Sequence, residues 1–120
     1  MAMKASLQLR VGTQLSLTPH LQQAVALLQR LEEAGLYLNA FKPGTVEQID
    51  HVLAIADAAP HHTISVHVEG GEAGGHHSWE ALDDLLLARY HALRQRPNLL
   101  LCVGGGIGTE DAASSYLRGD

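Results

Sequence analysis

Residues 64–80 read ISVHVEGGEAGGHHSWE, and this stretch decides how the rest of the chain is interpreted. It begins with an apolar, β-branched run, Ile64–Val68, which predicts a buried strand. Four glycines follow within residues 70–75, a density typical of a loop whose backbone approaches another group closely or takes unusual dihedral angles. The loop ends in His76 and His77, side chains that can exchange protons near neutral pH. We therefore expect a functional loop between a strand and a helix.

The same strand–loop–helix order recurs on both sides of this loop. The predicted strands are residues 36–41, 63–68 and 99–103. Thr45, Ser78 and Thr109 are the predicted N-caps of three helices, of which the first ends near Pro60, the second has Glu80 and Ala81 in its first turn and is broken at Pro97, and the third runs from Glu110 to Leu117. The strands read as apolar runs, which is typical of a parallel sheet buried on both faces. The pattern predicts an α/β fold with a mainly parallel three-stranded sheet.

The N-terminal part has a different pattern. Residues 1–17 alternate apolar and polar positions, which is compatible with either an edge strand or a disordered arm. Thr18-Pro19 predicts a helix start, with Thr18 as N-cap and Pro19 at the first helical position. Apolar residues at positions 21, 24, 25, 28 and 31 form one stripe of a helix that ends at Gly35.

Composition excludes several functional classes. A chain of 120 residues with a formal net charge of -5 predicts one folded unit that does not bind nucleic acid or anionic membranes directly. No apolar run approaches the ~18 residues of a membrane span, and no leader-like segment opens the chain, so we expect a cytoplasmic protein. Cys102 is the single cysteine, which excludes an internal disulfide; its apolar surroundings predict a buried, unreactive thiol.

Gly104–Gly108 lies between a predicted strand and a capped helix, where backbone N–H groups are suited to a phosphate. The spacing does not match a dinucleotide fingerprint, because Thr109 stands at the third glycine position, and the lysine of a P-loop is absent. A mononucleotide or flavin phosphate site and a simple tight turn both remain open. Lys42, after the first strand, either meets a negative charge at the same edge or is an ordinary solvated lysine.

The histidines allow three interpretations of the central loop. His76 and His77 are suited to a general acid, to a hydrogen-bond donor beside a flavin, or to metal ligation, of which the metal is the least favoured because adjacent histidines are a weak metal motif. His20, His51 and His91 are predicted on helix surfaces. Trp79 is expected to pack at the start of the helix that follows the loop.

Residues from about 30 to 120 resemble part of the enoyl reductase region of actinobacterial type I fatty acid synthase. The resemblance is carried by LEEAGLYLNAFKPGTVEQI, VEGGEAGGHHSWEALDDLLLARY and LLLCVGGGIGTEDAASSYLRGD. It implies a TIM barrel that binds FMN, is reduced by NADPH and reduces enoyl thioesters. It further implies that His76 or His77 faces the flavin, and that the remaining cofactor contacts come from Lys42, Gly74, Gly75, Gly104, Gly105, Gly106 and Gly108.

Residues 3–29 instead resemble the N-terminal activator-interacting region of the sigma-54 class of sigma factors, through LQLR, QLSLTP and LQQAVALLQ. That resemblance implies contact with an AAA+ activator ATPase and with RNA polymerase. Together the two resemblances suggest a chimera, with a sigma-like part at residues 1–29 and a flavin-barrel part at residues 30–120.

The barrel part is incomplete. A complete barrel requires eight βα units, so three units predict a partial (β/α) barrel with open sheet edges and self-association. We expect at most weak FMN or phosphate binding and no competent catalysis. The alternatives are a transcription-related interaction module and a structural protein without biochemical function.

Overall fold

The computed structural model describes residues 18–72 and 79–119, and the chain divides into two compact units, Met1–Tyr37 and Leu38–Asp120. The first unit contains helix α1, Pro19–Glu33. The Thr18 side chain accepts a hydrogen bond from the Leu21 amide at 3.2 Å, and Gly35 follows the helix with φ +86°, so the predicted start and end of α1 are confirmed. The alternatives for residues 1–17 lie outside the described residues.

The second unit carries the three strand–helix pairs. Its strands are β1 (Leu38–Phe41), β2 (Thr63–Glu69) and β3 (Leu99–Gly104), and its helices are α2 (Val46–Ala58), α3 (Leu82–Arg94) and α4 (Glu110–Arg118). All strand pairs are parallel, in the order β1-β2-β3. The predicted α/β class and parallel sheet are therefore confirmed. Of the described helices, none combines the length and apolarity that crossing a membrane requires.

The core lies between the sheet and the two connecting helices. Parallel connections are right-handed, so with this strand order α2 and α3 fall on the same face of the sheet, and the two helices contact each other. Every second residue of β2 faces them and is fully buried: Ile64, Val66 and Val68. The helices contribute the rest of the core, including Ile49, Val52, Leu53, Ile55, Leu82, Leu85 and Leu93.

The opposite side of the sheet is open in the described part of the chain. Ser65 and His67 are half-buried, and their neighbours on β3, Leu100 and Cys102, are exposed. The prediction of strands buried on both faces, and of a buried Cys102, is therefore wrong. The physical reason is that successive strand residues point to opposite faces, and both crossover helices cover the same one.

Two arginine–aspartate pairs link α2 to α3 and to the turn that follows α3. Arg89 donates from Nε and Nη2 to the two carboxylate oxygens of Asp50, at 2.6 and 3.0 Å. Arg96 makes the same two-bonded contact with Asp57, at 3.1 and 3.0 Å. Each pair spans 39 residues; the second joins Asp57, near the end of α2, to Arg96, two residues after the end of α3.

Asn98, just before β3, forms hydrogen bonds with the end of α2 and with the turn that follows it. Its side-chain amide nitrogen donates to the carbonyl oxygens of Ala56, Ala59 and His62, at 3.1, 3.2 and 3.1 Å. Its own carbonyl oxygen accepts from the amide of Ile64 at 2.8 Å. Ala56 lies in the last turn of α2, where carbonyls have no partner within the helix, and Ala59, whose carbonyl also accepts from the His62 amide, lies with His62 in the turn into β2. One side chain therefore contacts both the end of α2 and this turn.

Candidate functional site

The loops that follow the three strands meet at the carboxyl edge of the sheet, as the parallel topology requires. Backbone hydrogen bonds connect them: the Glu69 amide donates to the Pro43 carbonyl at 3.0 Å, and the Gly70 amide donates to the Gly104 carbonyl at 3.0 Å. The Gly71 amide donates to the Glu80 carbonyl at 2.8 Å, which joins the described residues on either side of residues 73–78. This edge is where sequence reasoning placed a site.

The Glu80 side chain forms a hydrogen bond with the N-terminus of α2, the helix that precedes β2. Its carboxylate accepts from the Val46 amide, the first residue of α2, at 2.7 Å, which suits a negative group at the positive end of a helix. Helix α3 begins only at Leu82, with Ala81 as an N-cap that makes no side-chain bond. The prediction of Ser78 as N-cap is therefore wrong, because Glu80 and Ala81 precede the helix. Trp79 is 82% exposed, so its predicted packing is also wrong.

Close packing accounts for several of the glycines. A Cβ on Gly105 would lie 2.8 Å from the backbone N and O of Gly70, and a Cβ on Gly70 would lie 2.7 Å from the Leu82 amide nitrogen. A Cβ on Gly104 would lie 2.5 Å from His67 Nε2. The contacts of Gly70 and Gly105 are with backbone atoms, so these two glycines permit the close approach of the segments that carry them, whereas the neighbour of Gly104 is the end of the His67 side chain. Gly108 has nothing within 4 Å of a Cβ position.

The cavity between these loops is acidic. It has a volume of about 250 Å³, and its lining includes Glu72, Asp83 and Tyr116. The Tyr116 hydroxyl donates to Asp83 at 2.7 Å. This hydrogen bond, with smaller contributions from burial and from the charges of Asp83 and Glu72, raises the pKa of Tyr116. The Glu72 carboxylate rests against Gly106, where a Cβ would overlap it.

A second group of charges lies around Glu69. Lys42 Nζ and His67 Nδ1 lie 3.9 and 3.6 Å from Glu69 Oε1. The Lys42 side chain is 64% exposed, and an ion pair at this exposure contributes little to stability. Lys42 therefore lies near a negative charge, the Glu69 carboxylate of its own chain, and is also largely solvated. Each of the two interpretations of this lysine, pairing with a negative charge and ordinary solvation, describes part of its environment.

The described residues do not fit an FMN phosphate. A phosphate with a charge of about -1.5 to -2 at Gly104–Gly108 would meet the Glu72 carboxylate, which rests on Gly106. In the part of the chain that the structure describes, no lysine, arginine or histidine lines this cavity, although His67 Nε2 lies against Gly104 at the start of the loop. No three acidic, histidine or cysteine side chains among the described residues are grouped as metal ligands are.

The structure brings Lys42, Gly104, Gly105, Gly106 and Gly108 to one edge. The other predicted site residues, Gly74, Gly75, His76 and His77, lie outside the described residues. His20, His51 and His91 are exposed, which confirms their predicted surface positions.

Sequence reasoning missed three features of this edge: the Glu69 cluster, the Glu72 contact and the Tyr116–Asp83 hydrogen bond. For the first, a signal was present. Thr63, Ser65, His67 and Glu69 alternate with apolar residues, a pattern typical of a strand with one polar face. The other two contacts join residues more than thirty positions apart, and no local pattern predicts them.

Comparison with known proteins places the chain near one group. Residues 63–120, which contain β2, α3, β3 and α4, match the family described as fatty acid synthase subunit beta/Fas1-like, helical. The chain is 43% identical over 89 residues, 74% of its length, to the fatty acid synthase beta subunit aflB of Emericella nidulans. It is 38% identical to the beta subunits of Saccharomyces cerevisiae over 90 residues and of Schizosaccharomyces pombe over 102 residues.

The chain spans only 4% of the Emericella and Saccharomyces subunits and 5% of the Schizosaccharomyces subunit. These matches contradict the assignments to an actinobacterial enoyl reductase barrel and to the sigma-54 class, since the matched region is the helical region of a fungal-type beta subunit. The Schizosaccharomyces match covers 85% of the chain, so it extends into residues 1–29. A join between two unrelated parts at residues 29–30 is therefore also wrong, and with it the chimera and the activator-binding module.

Proposed function

We infer that the chain is a segment of a fatty acid synthase beta subunit, and we propose that it serves there as a structural wall for the rest of the subunit. Support comes from 38–43% identity over about three quarters of the chain. The proposed role is architectural, since the described glycine loops are occupied by contacts within the chain. We propose a cytoplasmic location, in keeping with a chain whose single cysteine cannot form a disulfide within the chain itself.

The observation that carries this proposal is the strand order. Three consecutive parallel strands in the order β1-β2-β3, with α2 and α3 in mutual contact on one face, are how the wall of a (β/α) barrel is built. A doubly wound sheet instead reverses direction at a switch point and places helices on both faces. We therefore propose a partial (β/α) barrel whose inner face carries Ser65 and His67 beside Leu100 and Cys102.

The two edge strands of the sheet, β1 and β3, are the surfaces at which we expect other strands to bind. In the described residues, β1 and β3 each pair with β2 alone, and exposed leucines lie on them: Leu38 is 62% exposed and Leu100 51%. Edge strands of a sheet can bind further strands. In the longer subunit we expect its own strands to pair there; in the isolated chain we expect pairing between copies.

A segment exchange tests the structural role. Residues 38–120 replace the matching segment of the Saccharomyces beta subunit, and assembly of the synthase is followed by size-exclusion chromatography of the purified complex. We expect assembly with the wild-type segment. The matched control carries Val66→Asp, which places a charge at a fully buried position and should prevent assembly. Failure of the wild-type segment to assemble, or assembly of both, would contradict the proposal.

Light scattering on the isolated chain tests the edges. We expect concentration-dependent dimers or larger species, because unpaired edges associate. Leu38→Lys and Leu100→Lys should shift the population towards monomers, while Leu87→Lys, at an exposed position on α3, should not. A monomer at every concentration would refute pairing through the edges.

A further inference from the structure

An apolar groove lies along α3, beyond the end of α4. It has a volume of about 530 Å³; α3 contributes Leu86, Leu87 and Tyr90 to its lining, and the end of α4 contributes Tyr116 and Gly119. Leu87 is 86% exposed and Tyr90 52%. The described residues therefore leave a large apolar surface open to solvent on the helical side of the sheet.

The groove exists because α4 ends before it has passed along the whole of α3. The Tyr116 hydroxyl donates to Asp83 at 2.7 Å, which places the end of α4 beside the first turn of α3. Helix α4 ends at Arg118, whereas α3 continues to Arg94, about 16 Å beyond Asp83 at a rise of about 1.5 Å per residue. Among the described residues, the second half of α3 has no helix beside it on this flank.

The lining of the groove favours an apolar occupant. Two of its polar side chains already have neighbours within the chain: Asp83 accepts from Tyr116, and His91 Nε2 lies 3.0 Å from the side-chain nitrogen of Gln95. The leucines and the Tyr90 ring provide surface whose removal from water is favourable. The groove therefore fits the apolar side chains of a polypeptide better than it fits a charged ligand.

Two observations identify the polypeptide. Gly119, in the wall of the groove, has a φ of +78°, and its amide donates to the Ser115 carbonyl; this left-handed cap ends α4, so the chain leaves the helix at the groove. The chain also spans only 4% or 5% of the Emericella, Saccharomyces and Schizosaccharomyces beta subunits. We propose that the polypeptide that follows α4 in the longer subunit lies in this groove, against Leu87 and Tyr90. This inference rests on the proposed function, because it requires that the chain is a segment of such a subunit.

Thiol accessibility tests the proposal, with Leu87→Cys in a Cys102→Ser background. It is measured in the isolated chain and in the exchanged beta subunit, in which residues 38–120 replace the matching Saccharomyces segment. Mass spectrometry of the peptide that contains position 87 gives the rate of alkylation by N-ethylmaleimide. We expect alkylation at least about tenfold slower in the exchanged subunit, because access controls thiol reactivity. Ala88→Cys, an exposed position outside the lining, should react at similar rates in both proteins.

A photo-crosslinking residue, Tyr90→benzoylphenylalanine, identifies the occupant in the exchanged subunit. We expect cross-links to the part of the same subunit that directly follows the exchanged segment. Cross-links to another chain or to a distant part of the subunit would overturn the proposal, as would equal alkylation of Leu87→Cys in both proteins or equal protection of Ala88→Cys. Because the occupant belongs to the same polypeptide, protection is expected whether or not the synthase assembles, so failure of this inference is distinguishable from failure of the architectural role.

Discussion

Arg89 and Asp50 are joined by two parallel hydrogen bonds, of 2.6 and 3.0 Å, across the contact between α3 and α2. The hydrogen bond from Arg89 lowers the pKa of the Asp50 carboxyl. A carboxyl with a lowered pKa stabilises the folded state above its unfolded pKa, about 3.9, and loses this contribution as the pH falls through the folded value. We expect the isolated chain to lose stability below about pH 4 partly for this reason.

Replacement of Asp50 by Asn should flatten this acid dependence, because the side chain no longer titrates. Urea unfolding between about pH 2 and 7 measures it, with the free energy of unfolding plotted against pH. The control is Asp84→Asn, an exposed aspartate in the first turn of α3. If Asp50→Asn and Asp84→Asn change the pH dependence equally, the contact with Arg89 is not its source.

Asn98 should be among the most sensitive polar positions of the second unit. Asn98→Asp keeps the shape but replaces the donor with an acceptor that faces three carbonyl oxygens. We expect a loss of about 1–3 kcal/mol of unfolding free energy for Asn98→Ala and a larger loss for Asn98→Asp at neutral pH. Urea unfolding monitored by circular dichroism gives both values. Equal unfolding free energies of the wild type, Asn98→Ala and Asn98→Asp would mean that water replaces the Asn98 side chain at these carbonyls without loss of stability.

The glycines of the carboxyl edge allow backbone strain to be separated from steric overlap. Gly105→Ala combines a positive φ with a contact of 2.8 Å to Gly70, and we expect a loss of about 2–4 kcal/mol. Gly119 has a φ of +78° but open space around it, so Gly119→Ala should lose only about 1 kcal/mol. Gly108→Ala meets neither condition and should stay within about 0.5 kcal/mol of wild type.

Thermal unfolding of the three alanine variants under identical conditions measures this order. A Gly105→Ala chain as stable as Gly108→Ala would show that the two loops do not pack as described.

Thiol labelling tests the open face of the sheet. Cys102 is the single cysteine and is exposed, so a thiol reagent such as DTNB should react with the native chain within about tenfold of its rate with the unfolded chain. The control places a cysteine at the fully buried Val66 in a Cys102→Ser background, and its native reaction should be far slower. Slow labelling of native Cys102 would indicate that another element or another copy covers this face.

The starts of three helices were predicted correctly from the sequence, because in each case the N-cap side chain directly precedes its own helix. The Thr18, Thr45 and Thr109 hydroxyls each accept a hydrogen bond from the amide three residues later, as predicted. Ser78 failed as a prediction, because Ala81 is the N-cap and Glu80 is committed to α2. The contact of Glu80 with the Val46 amide, additional to the Thr45 cap of α2, joins residues 34 positions apart, and no local pattern predicts it.

The parallel pairing of the strands was predicted correctly, but the burial of both faces of the sheet was not. Apolar runs were interpreted as strands covered on both faces, although Thr63–Glu69 alternates between apolar and polar residues. The site shows a similar limit, because glycine content predicted a phosphate cradle. Whether a glycine makes room for a ligand or for its own chain depends on contacts such as Gly105 with Gly70 and Gly106 with Glu72. Those contacts exist only after the loops have met.

Asn98 also constrains the order in which the chain can fold during synthesis. The carbonyls at the end of α2 receive their side-chain partner from a residue 36–42 positions later. A growing chain that has completed α2 and β2 therefore still lacks this partner until α3 has emerged and Asn98 has followed it. The first strand–helix pair cannot reach its final stability alone, and the second unit is expected to consolidate only when β3 begins to form.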